Sequence, residues 1–410
     1  MATQLQFHNI YRDRLSSIRT RVESECKEAD GPLLERLLEM NSIHEGTEVV
    51  CVGILVKIMS NRVSAIDDYG KLLNLTMPTI PSANISSEDD TVMIEDETGR
   101  IRLDLDETTA TVNDIIPGFV VGVQGVKTTP DTITVNRFIY PTAPPPLVSD
   151  DTIEATETTL VVSGLRLGRP STSQAPATLL RRWLAGKNTL FSFPKIDRLV
   201  IAGSSVAAAE EVHPDVLDKP YLDSTKVFGQ LTAPTEMLDE WLADVSSNLP
   251  TTIIPGLTDP VQQALPQPPL SHLLLPRAQA AVRMPNPSHT TVSHVSAMVS
   301  AGKAIADCRR FCGLSDADIA HHCVLCGHIC PTAPESLDAV ALDHDPFVLK
   351  KLPRLAIFGN CREFAREEME TESGPVDIIC VPDFSETGIA VAITAGVNEL
   401  TVVPVKLGML

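Results

Sequence analysis
The chain has 410 residues, 43% of them hydrophobic, and sets 33 Lys and Arg against 53 Asp and Glu for a formal net charge of −20. That length divides into two or three domains, each able to bury its own core. So negative a chain repels a polyanion, and aromatic residues at 4% offer few rings for stacking on bases, which excludes an autonomous grip on DNA. Apolar runs such as LVIAGSSVAAA from Leu199 stop well short of the roughly 18 residues a membrane span needs, and the start MATQLQFHN has no secretory apolar region. A soluble, non-secreted chain with no membrane partner is expected. Nine cysteines, an odd number, suit a reducing compartment better than a disulfide framework.

The first elements are helical, with Tyr11, Leu15, Ile18 and Val22 on one stripe and Leu33, Leu34, Leu37 and Leu38 on a second beyond Gly31-Pro32. From Thr47 the pattern turns to strands: EVVCVGILVKI, VMIEDETGRIRLDL with a turn at Thr98-Gly99, GFVVGVQGVK and TITVNRFIY. Their spacing predicts a five-stranded OB barrel interrupted by a long loop from Asn61 to Asp90. Pro141 to Pro146 and the acidic stretch to Glu157 then mark a linker.

Beyond the linker, strands and amphipathic helices alternate: TTLVVSG, ATLLRRWLAG, DRLVIAG, TEMLDEWLADV and TTIIPG. Leu238, Trp241, Leu242 and Val245 share one face of the second helix. The chain ends in the strands RLAIFGN, VDIICVPDF, GIAVAIT and LTVVPV, so an α/β sandwich of two sheets is expected. The fold class is α+β, with an N-terminal helical segment (1–44) packed on the C-terminal domain, a barrel (45–145), an acidic linker (146–158) and the α/β sandwich (159–410).

The strands end in small-residue turns at Ser163-Gly164, Gly203-Ser204, Gly256-Leu257-Thr258-Asp259 and Phe358-Gly359-Asn360. A metallophosphoesterase builds a two-metal site from turns in this order, using carboxylate, amide and imidazole ligands. Here those places hold Ser163 and Leu165, Ser204, Leu257 and Thr258, Ala301 before Gly302, and Asn360 and Arg362. Leucine, alanine and serine cannot bind two divalent metals. Only Asp259 keeps its expected chemistry, and a turn carboxylate capping local N–H groups is the simpler account of it.

On the stretches FHNIYRDRL, VMIEDETGRIRLDL, LVVSGL, VIAG, IIPGLTDP, LPQPPL, RMPNP, HICPTAPESL, FGNCREF and VPDFSETG, in that order over almost the whole chain, the sequence resembles the small accessory (B) subunits of replicative DNA polymerases, most closely that of the delta enzyme. The resemblance implies an OB domain joined to a calcineurin-like phosphoesterase domain that has lost its metal ligands. The departures are a shortened stretch after Leu167 and extra cysteines near the third family block.

Those cysteines, Cys308, Cys312, Cys323, Cys326 and Cys330, lie near His321, His322 and His328 at spacings that suit a zinc site. Against zinc, they fall on two expected helices, where small thiols pack well, and the family has no zinc there. Ser204, Asp259 and His328 follow the order of an α/β-hydrolase triad, but the G-x-S-x-G elbow is missing. Gly186-Lys187 and Gly302-Lys303 lack the glycine spacing of a P-loop. Glu95, Asp96, Glu97, Asp104, Asp106 and Glu107 place acid on the barrel where a single-strand binder wants base, so a protein-binding barrel is expected.

The resemblance therefore implies a non-catalytic subunit with no cofactor, placed in the nucleus for DNA replication. Its implied partners are the cysteine-rich C-terminal domain of the catalytic subunit of DNA polymerase delta and a third small polymerase subunit. The sliding clamp is reached indirectly, and DNA only through the complex.

Overall fold
The computed structural model describes residues 6–27, 32–61, 84–106, 110–147, 156–169, 174–186, 195–208, 224–371, 374–396 and 399–407. Residues 62–83 of the expected loop and 148–155 of the expected linker, with Glu107 and Lys187, lie outside the described residues. Contacts divide the chain into two compact units, Met1–Pro145 with Ala304–Leu352, and Pro146–Lys303 with Pro353–Leu410. Among the described residues no helix is long and apolar enough to cross a membrane.

The first unit opens with helix α1 (His8–Cys26) and a 3-10 helix at Leu37–Ser42. Strands β1 (Glu48–Ile58), β2 (Thr91–Glu95), β3 (Arg100–Asp104), β4 (Val120–Thr129) and β5 (Thr132–Ile139) follow. They close into a barrel in the order β1-β2-β3-β5-β4, with the β3–β5 seam parallel and Arg102 opposite Thr132. β1 reads as an unbroken apolar run because α1 covers its outer side, where Val50, Val52 and Ile54 meet Leu15, Ile18, Val22 and Cys26. β2 and β3 bury every second residue, as strands with one wet face do.

The second leucine stripe does not form the expected amphipathic helix. Leu34 N donates to Val50 O (2.8 Å) and Val50 N to Pro32 O (3.0 Å), so the chain runs beside β1 before a 3-10 turn. Barrel side chains fix that turn at both ends. Asp96 accepts the Leu37 N–H at 2.8 Å, and Lys127 Nζ donates to Met40 O (2.7 Å) and Ile43 O (2.8 Å). Over so short a stretch, strand pairing and these caps outweigh the helical pattern.

Segment 304–352 joins this unit through Arg14 of α1, which is fully buried. Its Nε donates to Asp345 Oδ2 (2.9 Å), Nη1 to Gly118 O (3.1 Å) and Pro331 O (2.7 Å), and Nη2 to Ala333 O. Asp345 also accepts the Phe347 N–H (2.9 Å) and lies 2.8 Å from His328 Nε2, which must therefore carry its hydrogen. Burial opposes the charge on Asp345, but the His328 ring and the Arg14 guanidinium outweigh it and hold the carboxyl well below its ordinary range. Burial, and then the charge on Arg14, push the His328 imidazole below its ordinary range, so the ring is neutral.

The second unit holds two sheets. One has six strands in the order β16-β15-β6-β7-β8-β9 and the other five in the order β10-β11-β12-β14-β13. In the first, β6 (Glu157–Val162), β7 (Arg198–Ala202), β8 (Thr251–Ile254) and β9 (Val282–Arg283) run parallel, and β15 (Ile389–Gly396) and β16 (Glu399–Lys406) extend it antiparallel. In the second, β11 (Val295–Ser300), β12 (Leu355–Cys361) and β14 (Gly374–Pro382) are parallel, with β10 (Ser288–Val292) and β13 (Ala365–Thr371) antiparallel at the edges. Val161, Val200 and Ile254 of one sheet pack against Val299, Ile357 and Ile379 of the other. The outer face of the six-stranded sheet packs on helices α2 (Ala175–Leu184) and α3 (Ser224–Ser246), with Leu180, Leu238, Trp241 and Leu242 in its core.

Replacing Arg14 with alanine strands a buried carboxylate and three carbonyls, so Arg14→Ala should lower stability by about 3–5 kcal/mol in urea denaturation. Acid should act through the same hub. An unfolded chain protonates His328 below about pH 6.5 and Asp345 below about pH 4, while the folded chain resists both. Stability is thus present above those values and lost as pH falls through the depressed folded ones. The urea midpoint should drop between about pH 7 and pH 5, and His328→Gln should flatten that drop.

Candidate functional site
The turns that follow β6, β7, β8 and β11, and the end of β12, converge in the second unit because parallel strands put their carboxyl ends along one edge. They meet backbone to backbone. A Cβ added to Gly203 (φ 82°) would lie 2.4 Å from Ala301 Cβ, and one on Gly302 (φ 75°) 1.7 Å from Gly359 O. No side chain fits at either place.

Asp259, 2% exposed, accepts the Ser205 N–H (2.8 Å) and Val206 N–H (3.2 Å) on Oδ1 and the Gly256 N–H (2.7 Å) on Oδ2. Burial pushes its carboxyl up, and the N–H donors pull the other way. The carboxylate thus ties the turn after β8 to the turn after β7. Next to it, Thr258 Oγ1 donates to Val206 O (2.6 Å), while Leu257 is 53% exposed.

Asn360 makes the corresponding link on the other sheet. In the left-handed region at φ 51°, it donates its N–H to Ser163 Oγ (2.6 Å) and its Nδ2 to Ala301 O (2.9 Å) and Ala202 O (3.3 Å). Its buried Oδ1 and the Ser205 hydroxyl find no hydrogen-bond partner among the described residues. Ser204, at φ 53°, and Leu165 are both 2% exposed, and Leu165 belongs to the apolar core. Arg362 is exposed. The structure therefore brings Ser163, Ser204, Asp259, Ala301 and Asn360 into one knot and turns Leu165, Leu257 and Arg362 to other surroundings.

Sequence reading missed three partners in this knot. Gln267 and Asn286 exchange backbone hydrogen bonds (2.8 and 3.0 Å) and join side chains, Asn286 Nδ2 donating to Gln267 Oε1 at 2.8 Å. Their free ends reach the turns, with Gln267 Nε2 on Gly256 O (3.2 Å) and Asn286 Oδ1 on Ala301 N (3.0 Å). The signal was an amide set between prolines in LPQPPL and RMPNP. The third is Asp383, which meets Arg166 Nε at 2.6 Å and accepts the Ser385 N–H at 3.0 Å.

The other candidate sets resolve differently. His328 bonds Asp345, whereas Asp259 takes backbone donors, so the Ser204, Asp259, His328 order has no hydrogen-bonded triad behind it. Cys308, Cys312, Cys323, Cys326 and Cys330 are buried, and Cys312 Sγ donates to Cys308 O at 3.4 Å. Burial raises the Cys308 thiol well above its ordinary value and Cys326 to about 12, which keeps both protonated. Among the described residues no three His, Cys, Asp or Glu side chains are grouped to hold a metal ion.

The geometry defines a mixed α+β protein that joins a closed five-stranded OB-type barrel to a second unit of two β-sheets. The family model described as the DNA polymerase alpha/epsilon B-subunit matches residues 159–366, about half of the chain, and the chain belongs to that family. A second model, described as the DNA polymerase delta subunit OB-fold domain, matches residues 6–138. Among curated relatives, the DNA polymerase delta small subunit of Arabidopsis thaliana is 27% identical over 398 residues, covering 95% of this chain and 88% of the relative. DNA polymerase delta subunit 2 of Drosophila melanogaster is 27% identical over 395 residues, covering 94% and 89%. The small subunit of Saccharomyces cerevisiae is 27% identical over 454 residues, covering 98% and 90%.

If the knot is held as described, Asp259→Ala leaves three buried N–H groups without an acceptor and should lower stability by about 2–4 kcal/mol. Gly302→Ala forces a methyl into a carbonyl at positive φ and should cost about 3 kcal/mol or more. Urea titrations of both variants check the pair. A wild-type midpoint in either would show that the turns are not packed this way.

Proposed function
We propose that this chain is a non-catalytic scaffold subunit of a DNA polymerase delta holoenzyme. In this reading it tethers the C-terminal domain of the catalytic subunit to a further small subunit for DNA replication in the nucleus, and reaches the sliding clamp and DNA only through the complex. The observation that carries the reading is the state of Asp259. It is the one carboxylate among the candidate turn residues, and its oxygens are taken up by backbone N–H groups rather than left to ligate.

The surroundings support the same reading. Two sheets with parallel strands and converging ends suit a phosphoesterase-like domain over 159–410, but a two-metal hydrolase needs several carboxylates and imidazoles at those ends. Ser163, Leu165, Ser204, Leu257, Thr258 and Ala301 supply none, and Asn360 and Arg362 do not replace them. We read these positions as relics of lost metal-site turns. The net charge of −20 supports contact with DNA through partners rather than directly. Membership of the alpha or epsilon enzyme is the second reading, favoured by the wording of the family model over 159–366. The delta assignment has the barrel model and the names of the relatives on its side.

The test pairs two assays on the full chain. The C-terminal domain of a delta catalytic subunit should be captured in a pull-down, and a bis-aryl phosphate should be hydrolysed only at background with excess manganese. Manganese-dependent turnover that disappears in Asp259→Ala, with no catalytic subunit captured, would replace the scaffold by an enzyme.

A further inference from the structure
The first unit carries a groove of about 720 Å³ between α1, the barrel strands β1 and β2, and the 331–336 stretch. Its apolar lining includes Leu15, Ile54, Met59 and Phe311, and Ile58 stands 52% exposed beside them. Single exposed apolar side chains are ordinary, but one bordering a concave apolar surface extends that surface.

The charge around this lining is one-sided. Two guanidinium groups, Arg12 and Arg100, face four carboxylates, Glu95, Asp96, Glu97 and Glu335. Both guanidiniums already have acidic neighbours, Arg12 at 3.4 Å from Glu97 and Arg100 at 2.8 Å from Glu95. The remaining cation, Lys57, is withdrawn, with Nζ donating to Ser86 Oγ (2.6 Å), Val112 O (2.8 Å) and Phe311 O (2.6 Å). Burial lowers its pKa, and Asp90 at 3.8 Å opposes that. On the groove wall, Thr332 keeps a buried hydroxyl with no hydrogen-bond partner among the described residues.

We propose that this groove is a docking site for a short apolar protein segment flanked by lysine or arginine. The apolar side chains of the segment fill the space over Leu15, Ile54 and Met59, and its cations meet the excess carboxylates of the rim. A polyanion is excluded by the sign of the rim. A second copy of a chain carrying −20 is disfavoured for the same reason. The proposal deepens the scaffold reading, on which it rests for the premise that the chain has protein partners.

A random library of short peptides displayed on phage, selected against the full chain, tests it. The enriched sequences should share two or three apolar residues flanked by Lys or Arg. They should bind Ile58→Glu about tenfold or more weakly, and should be weakened by Glu97→Lys and by added salt. Ile58 and Glu97 are both exposed, so unchanged circular dichroism and urea midpoints should confirm folded variants. No enrichment, acid-flanked sequences, or binding indifferent to Ile58→Glu would overturn the proposal. So would a self-association in sedimentation that Ile58→Glu abolishes, since the groove would then hold a second copy. Capture of the catalytic subunit's C-terminal domain, measured with the same wild-type protein, separates the two readings. Capture without peptide enrichment removes the groove and leaves the scaffold, whereas enrichment without capture does the reverse.

Discussion
Backbone packed directly against backbone at the strand ends is the constraint on which the second unit depends. Gly203 and Gly302 sit at positive φ with no space for a Cβ, so the turns after β7 and β11 approach closer than any side chain allows. Polar groups at such a junction must be matched among themselves, because water is shut out. That requirement explains the arrangement of hydrogen bonds around it. Asp259 collects N–H groups from two turns, Asn360 spans three strand ends, and the Gln267–Asn286 amide pair connects two more. A side chain that elsewhere would be available for chemistry is here an internal brace.

The first unit solves a similar problem with a cation. Arg14 enters the interior from α1 and satisfies carbonyls of Gly118, Pro331 and Ala333 while pairing with Asp345. Buried ion pairs are weak evidence for stability, because desolvating two charges offsets much of their attraction. What such a hub supplies is position. Gly118, Pro331, Ala333 and Asp345 are far apart in sequence, and a guanidinium with five donors in a fixed fork fits only one arrangement of them.

Much of this was legible in the sequence where the period of the pattern matched a local physical cause. The α1 stripe, the barrel strands and the strand-helix alternation from β6 to β8 stand where the apolar spacing puts them, as do β12, β14, β15 and β16. The second leucine stripe misled because its surroundings, Val50, Asp96 and Lys127, lie far along the chain. Strands β9 and β10 escaped because Val282–Arg283 is two residues long and SHTTV is mostly polar, being an edge strand. β13, AREEMET, hides for the same reason. At the strand ends the sequence named the residues but not their partners, since spacing does not reveal that Asp259 faces N–H groups more than 50 positions away.

On the scaffold reading, the side chains at the turns and the closeness of the turns have one cause. Carboxylates gathered to hold two metals repel one another once the metals are gone, and each must then be solvated or protonated. Neutral Ser163, Ser204, Thr258 and Ala301 carry no such repulsion, so the strand ends are free to close until glycine backbones touch. Closure in turn buries whatever carboxylate is left, and burial is tolerable only where hydrogen-bond donors surround it. Asp259, with its three N–H donors, meets that condition, and the same donors that make it tolerable leave its oxygens with nothing to offer a metal or a substrate.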